Sequence, residues 1–292
     1  MDILPLFCEI DDFCKVFEKV WRTRQLVGSK RRRNRATRLS QSEVMTILVM
    51  YHQSGYKNLK SFYLREIVHH HSSDFRALVS YNRFVELQAR CVMPLYFYLA
   101  IKRGSCTGIS FIDATALKVC HNLRIPSHRV FQGSAARDKS STGWYYGFKL
   151  HLAVNEKGEI LGFYVTAANI DERQTTDWIT QELWGRLIGD KGYLSQTLFE
   201  RLMTRGLKLI TKLRRNMKNR LLSMEDKLLL RKRAIIETVN DQLKNISNIE
   251  HSRHRSLWNF LGNLASGLIA YCWKEKKPSL NLNFKDLISY VG

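Results

Sequence analysis

The stretch G-F-K-L-H-L-A-V, Gly147 to Val154, decides how this chain is read. Phe148, Leu150, Leu152 and Val154 alternate with Gly147, Lys149, His151 and Ala153, the period of two that gives an extended strand two faces. Asn155 to Gly158 follows, with Gly158 suited to a turn, and leads into Ile160 to Thr166, so the pair is expected to form a hairpin. Upstream, Gly108 to Asp113 reads as a short apolar strand. Downstream come an expected helix from Asp171, a strand Arg186 to Gly189, a helix Ser195 to Thr204, a strand Leu207 to Leu213 and a long helix Asp226 to Asn245. Strand, hairpin, helix, strand, helix, strand, helix is the order of a mixed α/β domain.

Outward from this core the period changes. Ser40 and Glu43 form an S-x-x-E capping box ahead of Val44, Ile47, Leu48 and Tyr51, which are spaced for one helical face. Leu59 to His69 and Tyr81 to Arg103 also read as helical. Ser256 to Trp273 is uncharged and almost long enough to span a bilayer, but Ser256, Asn259, Asn263 and Ser266 interrupt it, and a core helix is expected. The expected division is a helical domain over 1–104 and a mixed-sheet domain with C-terminal helices over 105–292.

The charge narrows the function. Among 292 residues, 47 Lys and Arg face 26 Asp and Glu, a formal net charge of +21, which concentrates polyanions near the surface. Nucleic acid is the expected partner, and no membrane partner is expected. Arg22 to Arg38 holds eight bases and no acid, so it cannot bury itself; Arg31, Arg32 and Arg33 are its centre, an arm suited to phosphates or a minor groove. A second basic run, Arg205 to Arg233, has eleven Lys and Arg against Glu225 and Asp226, and includes Arg214 and Arg215. The six cysteines form no C-x-x-C pair, which fits reduced thiols. The acids near the N-terminus do not follow a secretory-signal order.

Cutting a phosphodiester without a covalent intermediate calls for two hard divalent ions and carboxylates to hold them. Asp113 ends the apolar strand Ile109, Phe111, Ile112; Asp190 follows Leu187 and Ile188; Glu237 lies in a helix beside Ile235, Ile236 and Val239. Each has an ordinary alternative: Asp113 as a turn cap, Asp190 as a loop residue, Glu237 as a surface acid paired with Arg233 four residues earlier. Asp241 rivals Glu237 as the third acid. Trp144, Tyr145 and Tyr146 read as sheet core. His69, His70 and His71 lack an evident acid partner, while Lys149 and His151 share a strand face. His251 and His254, beside Arg253 and Arg255, read as phosphate-facing or locally packed.

Several motifs together carry a resemblance: S-Y-N-R-F-V-E-L (Ser80 to Leu87), H-N-L-R-I (His121 to Ile125), S-S-T-G-W-Y-Y-G-F-K-L-H-L (Ser140 to Leu152) and I-E-H-S-R-H-R-S (Ile249 to Ser256). The chain resembles bacterial DDE transposases, in particular the insertion-sequence family numbered nine hundred and eighty-two. The resemblance implies an RNase H-like catalytic domain behind a helical DNA-binding region. It makes Asp113, Asp190 and Glu237 the three metal-binding acids, and Mg²⁺ the working metal, two ions with Mn²⁺ able to substitute. It also implies terminal inverted repeats and target DNA as substrates, an active homodimer or higher oligomer, and residence at the nucleoid of a bacterial cytoplasm. The Y-x2-R-x3-E-x6-K signature of the wider group matches at Arg233, Glu237 and Lys244, of which Arg233 and Lys244 are the expected phosphate contacts, and departs at Leu230; Asp138 stands where glycine is expected. Two alternatives accompany this reading: a DNA-binding protein without catalysis, and an RNase H-like nuclease without strand transfer.

Overall fold

A computed structural model describes residues 3–25, 37–140, 143–212, 222–250 and 253–280. Arg31, Arg32, Arg33, Arg214, Arg215 and His251 lie outside the described residues. In chain order the helices α1 (Ile3–Gln25) and α2 (Gln41–Gln53) come first, then α3 (Leu59–Phe62), which runs through a π-helical turn at Tyr63–Ile67 into α4 (Val68–His70). Next are α5 (Tyr81–Gln88) and α6 (Val92–Ile101), then β1 (Ile109–Cys120), β2 (Ala136–Ser140), β3 (Gly143–Asn155) and β4 (Ile160–Ala167). They are followed by α7 (Glu172–Ile179), β5 (Gly185–Gly189), α8 (Gln196–Met203), β6 (Leu207–Thr211), α9 (Met224–Lys232), α10 (Ala234–Asn245) and α11 (Leu257–Cys272).

The chain divides into two units: Met1–Lys102 with Leu243–Trp273, and Arg103–Gln242 with Lys274–Gly292. In the first, the Ser40 and Glu43 capping box closes both ways at the start of α2, an arrangement that contributes about 1 kcal/mol. α11, expected in the mixed-sheet domain, instead belongs to this unit and packs on α2 and α6. The reason is its burial. Phe260 and Gly262 through Tyr271 are buried, Asn263 and Ser266 among them, and a helix covered on every side needs other helices around it.

The second unit is built on one sheet. β1 pairs with β3 antiparallel and with β5 parallel, β5 pairs with β6 parallel, and β4 pairs with β3 antiparallel. The path β4-β3-β1-β5-β6, an antiparallel meander continued by two parallel strands, is RNase H-like. β3 carries the opening stretch. Its alternation serves two neighbours at once, with β1 along one edge and, along the other, β2 over Gly143–Gly147 and β4 over Phe148–Val154. Gly158, at φ +69°, makes the hairpin turn that returns the chain into β4. α7 and α8 cover one face, where Ile179, Leu198 and Leu202 close over Ile112, Ala153, Leu187 and Leu209.

Two elements differ from expectation. β1 does not end at Asp113 but continues to Cys120, because β3 is long enough to pair with it throughout, so Asp113 caps no turn. The long helix Asp226 to Asn245 is two helices that break at Arg233. Each half has its own anchor: buried Asp226 ties α9 to the sheet through Lys208 (2.7 Å) and Arg186 (3.4 Å), while Ile235, Ile236 and Val239 are the buried stripe of α10.

Candidate active site

The parallel pairing of β1 with β5 aligns Ile109 with Arg186 and Phe111 with Ile188. Two residues beyond the last paired position, Phe111 with Ile188, each strand carries an acid, Asp113 and Asp190, and the Asp190 charge acts on Asp113. This end of the ladder is the carboxyl edge of the sheet, where α/β proteins place their ligands. Asp190 is held from below, its Oδ1 accepting the Gly192 N–H at 2.7 Å as cap of a short 3₁₀ turn. The ordinary loop role and a site role therefore coexist in Asp190.

Asp113 is largely buried, and its two oxygens are both engaged. Arg233 Nη1 donates to Oδ1 at 3.3 Å and Asn240 Nδ2 donates to Oδ2 at 3.0 Å. Burial pushes the Asp113 carboxyl up to about 6; the Arg233 cation opposes this, and the Asp190 charge adds to it. Arg233 also donates to Glu237 Oε1 at 2.6 Å, so one guanidinium joins the first and third expected acids. Arg233 is thus the expected surface partner of Glu237 and more. Glu237 is among the charges acting on Asp113, whereas Asp241, one turn later, is exposed.

A fourth acid escaped the sequence reading. Glu172, the first residue of α7, follows the Asp171 cap, whose Oδ1 accepts the Arg173 N–H at 2.9 Å. Burial lifts the Glu172 carboxyl to about 7, and the Asp190 charge adds to the rise. Tyr193 lies among Glu172, Asp113 and Asp190, and its hydroxyl is pushed well above its ordinary range, first by burial. The only sequence signal for Glu172 was an acid in a helix first turn, which the helix dipole favours in any helix.

Other expectations resolve locally. Lys149 pairs with Asp138 at 2.9 Å, which gives the non-glycine at 138 a partner on the neighbouring strand. His151 is buried against Thr166 at 2.9 Å, and burial lowers it to about 4, so it is a neutral core side chain. Tyr145 and Tyr146 are buried as expected, but Trp144 is 55% exposed, a correction that follows from its place at the very start of β3, opposite Lys139 near the end of β2 and beyond the reach of β4. In the helical unit His71 does have acid partners, Asp74 at 2.8 Å and Glu66 at 3.7 Å. His254 packs on Phe260, Lys244 pairs with Glu250 at 3.4 Å, and Leu230 is buried.

The donor chemistry fits a hard divalent cation. Every acid here offers oxygen, Asp113 and Glu172 take up charge reluctantly, and the Tyr193 hydroxyl and Asn240 Oδ1 are buried without a partner. Among the described residues, no three His, Cys, Asp or Glu are already gathered for an ion, and Arg233 supplies the positive charge between Asp113 and Glu237.

A sequence profile described as "Transposase DDE domain" matches residues 103–257, just over half of the chain. No curated protein matches the chain. Among solved structures, "Crystal structure of the Mos1 Strand Transfer Complex" aligns at 10% identity over 91% of this chain and 88% of that one, with a TM-score of 0.23.

Proposed function

The chain belongs to the transposase DDE domain family and is a DDE transposase, and from that premise we propose that it moves an insertion sequence of the family numbered nine hundred and eighty-two. Enzymes of this family work on DNA with divalent metal ions. In this reading water attacks a phosphorus at the element end and the P–O3′ bond breaks; the released 3′-hydroxyl then attacks a phosphorus of target DNA in line, giving up its proton and displacing the target strand's own 3′-oxygen, which leaves as a hydroxyl. Asp113, Asp190 and Glu237 would hold two Mg²⁺, with Mn²⁺ as substitute; bound there, the ions supply Lewis-acid stabilisation of the attacking and leaving oxygens.

The observation that supports the reading is that Asp113 and Asp190 stand just past the end of the paired β1 and β5 ladder, close enough for one charge to act on the other, with Glu237 joined to Asp113 through Arg233. Before an ion arrives, Arg233 neutralises part of the charge on Asp113 and Glu237 and so keeps the acids near one another. Arg233 and Lys244, with Arg214 and Arg215, would draw DNA phosphates toward the acids, and the helical residues 1–104 with Arg31, Arg32 and Arg33 would bind the terminal inverted repeat. Joining two ends calls for at least a dimer, working at the nucleoid of a bacterial cytoplasm.

The test is incubation of purified protein with labelled end DNA and Mg²⁺ or Mn²⁺, following cleavage and joining. Metal-dependent cutting at the repeat tip, followed by joined product and lost in Asp190→Ala and Glu237→Gln, is the expected result. End binding without cutting would favour a DNA-binding protein without catalysis, and cutting without joining a nuclease.

A further inference from the structure

We propose that Glu172 is a fourth carboxylate of the divalent-cation site, working beside Asp190; the assignment rests on the metal-dependent reading above. The two carboxylates come from different elements, Asp190 from the end of β5 and Glu172 from the start of α7, and they meet over Gly192. A Cβ added at Gly192 would stand 2.9 Å from Asp190 Oδ1 and 3.1 Å from Glu172 Oε2, so only a residue without a side chain leaves both oxygens room. The nearby cation, Lys149, is committed to Asp138 at 2.9 Å and to the Ile170 carbonyl at 3.3 Å. Two like charges are thus brought together and, among the described residues, no cation forms an ion pair with either.

Two independent groups say that something further belongs there. Tyr193 is fully buried among Glu172, Asp113 and Asp190, yet its hydroxyl has no partner. Asn240, 7% exposed, spends its amide N–H on Asp113 and leaves Oδ1 without a donor. Buried polar atoms are ordinarily satisfied, and a hydrated hard cation brings the missing partners, since the waters it carries are strong donors that Asn240 Oδ1 and the Tyr193 hydroxyl oxygen can both accept from. Carboxylate oxygens from Glu172 and Asp190 suit such an ion, which commonly keeps several waters beside one or two carboxylates.

The ordinary alternative is that Glu172 only complements the dipole of α7. Calorimetric titration of Mn²⁺ into the full chain without DNA, with thermal melts in EDTA and in Mn²⁺, separates the two. Wild type should bind Mn²⁺, Glu172→Gln should bind it at least tenfold more weakly, and the melting temperature of Glu172→Gln in EDTA should equal or exceed that of wild type. Glu172→Asp keeps the charge on a shorter arm and should fall between them, which guards against a misfolded glutamine variant. Wild-type affinity in Glu172→Gln, with affinity lost in Asp190→Asn, would overturn the role of Glu172 and leave the metal-dependent reading standing. A lower EDTA melting temperature with unchanged affinity would overturn it in favour of the dipole role. Absence of Mn²⁺ binding by wild type would remove both.

Discussion

The acids that come from the sheet and the acid that comes from a helix are held in different ways. Asp113 is 19% exposed, fixed by strand register and by two side-chain donors, while Asp190 is fixed by a backbone N–H within its own turn. Glu237 is 58% exposed and is held by Arg233, one turn back on a helix that breaks at that arginine. Strand register cannot slip without turning every side chain to the wrong face, so the sheet acids are positioned by the fold itself. The helix acid depends on a single ion pair and on whatever anchors α9. Reorganisation on binding metal or DNA should therefore fall on the helix side.

The largest expected effect breaks the sheet side. Asp113→Asn or Asp190→Ala should reduce end cleavage by at least ~10³-fold, as removal of a residue made for the reacting step does, without loss of end binding in a gel-shift assay. Equal loss of binding and cleavage would mean that these acids hold the fold rather than the reaction.

The next effect tests the helix side from a distance. Asp226 is fully buried between Lys208 and Arg186 and touches none of the acids, yet it fastens α9 ahead of Arg233. Asp226→Asn should destabilise by roughly 1–3 kcal/mol, because two cations lose the charge they were folded against. If Glu237 depends on that anchor, cleavage should also fall by about 10²-fold, the cost of a small misplacement in a reacting geometry. Cleavage unchanged at a temperature where the variant is folded would show that the helix side needs no such anchor.

The same contrast explains what was legible in the sequence. Strand alternation around Gly147 to Val154 reported the sheet because period two has few other sources, and Asp113 and Asp190 stood out as acids closing apolar runs. The break at Arg233 left no mark, since Arg is a good helix former and the apolar spacing runs on past it. The placement of α11 was hidden because its burial comes from helices far earlier in the chain. Glu172 was hidden because an acid after a capping Asp is an ordinary helix start; only the packing of α7 against β3, β4 and the 3₁₀ turn that follows β5 brings it to Asp190. Side chains brought together by tertiary folding leave no local period to read.

A smaller effect follows from protonation and sharpens the sheet side. Asp113 sits at about 6 and Glu172 at about 7, both above their ordinary values of 3.8 and 4.5. Between those limits the folded protein keeps protons that the unfolded chain has released. Their contribution to stability in EDTA therefore falls as pH rises from about 4 to about 7 and then levels. Saturating Mn²⁺ should flatten this decline, because a cation favours the charged form. Melting temperature against pH, compared with the Asp113→Asn and Glu172→Gln double variant, isolates the two groups: the decline should be shallower in the variant. A parallel decline in both proteins would assign the pH dependence elsewhere.

The smallest effect comes from Tyr193→Phe. The ring is core, packed against Gly189 beneath the sheet edge, so phenylalanine keeps the packing and removes only the hydroxyl. A buried hydroxyl without a partner contributes nothing in the metal-free protein, and its removal should change stability in EDTA by less than about 1 kcal/mol, with either no change or a gain. With Mn²⁺ bound the hydroxyl gains a use, so the variant should show a smaller metal-induced rise in melting temperature than wild type. That difference between two melts of the same variant ties the sheet side to the ion without touching a carboxylate. A loss of stability in EDTA as large as that of Asp226→Asn would instead mean that the hydroxyl already has a partner among the acids, and that the sheet side is closed before any ion arrives.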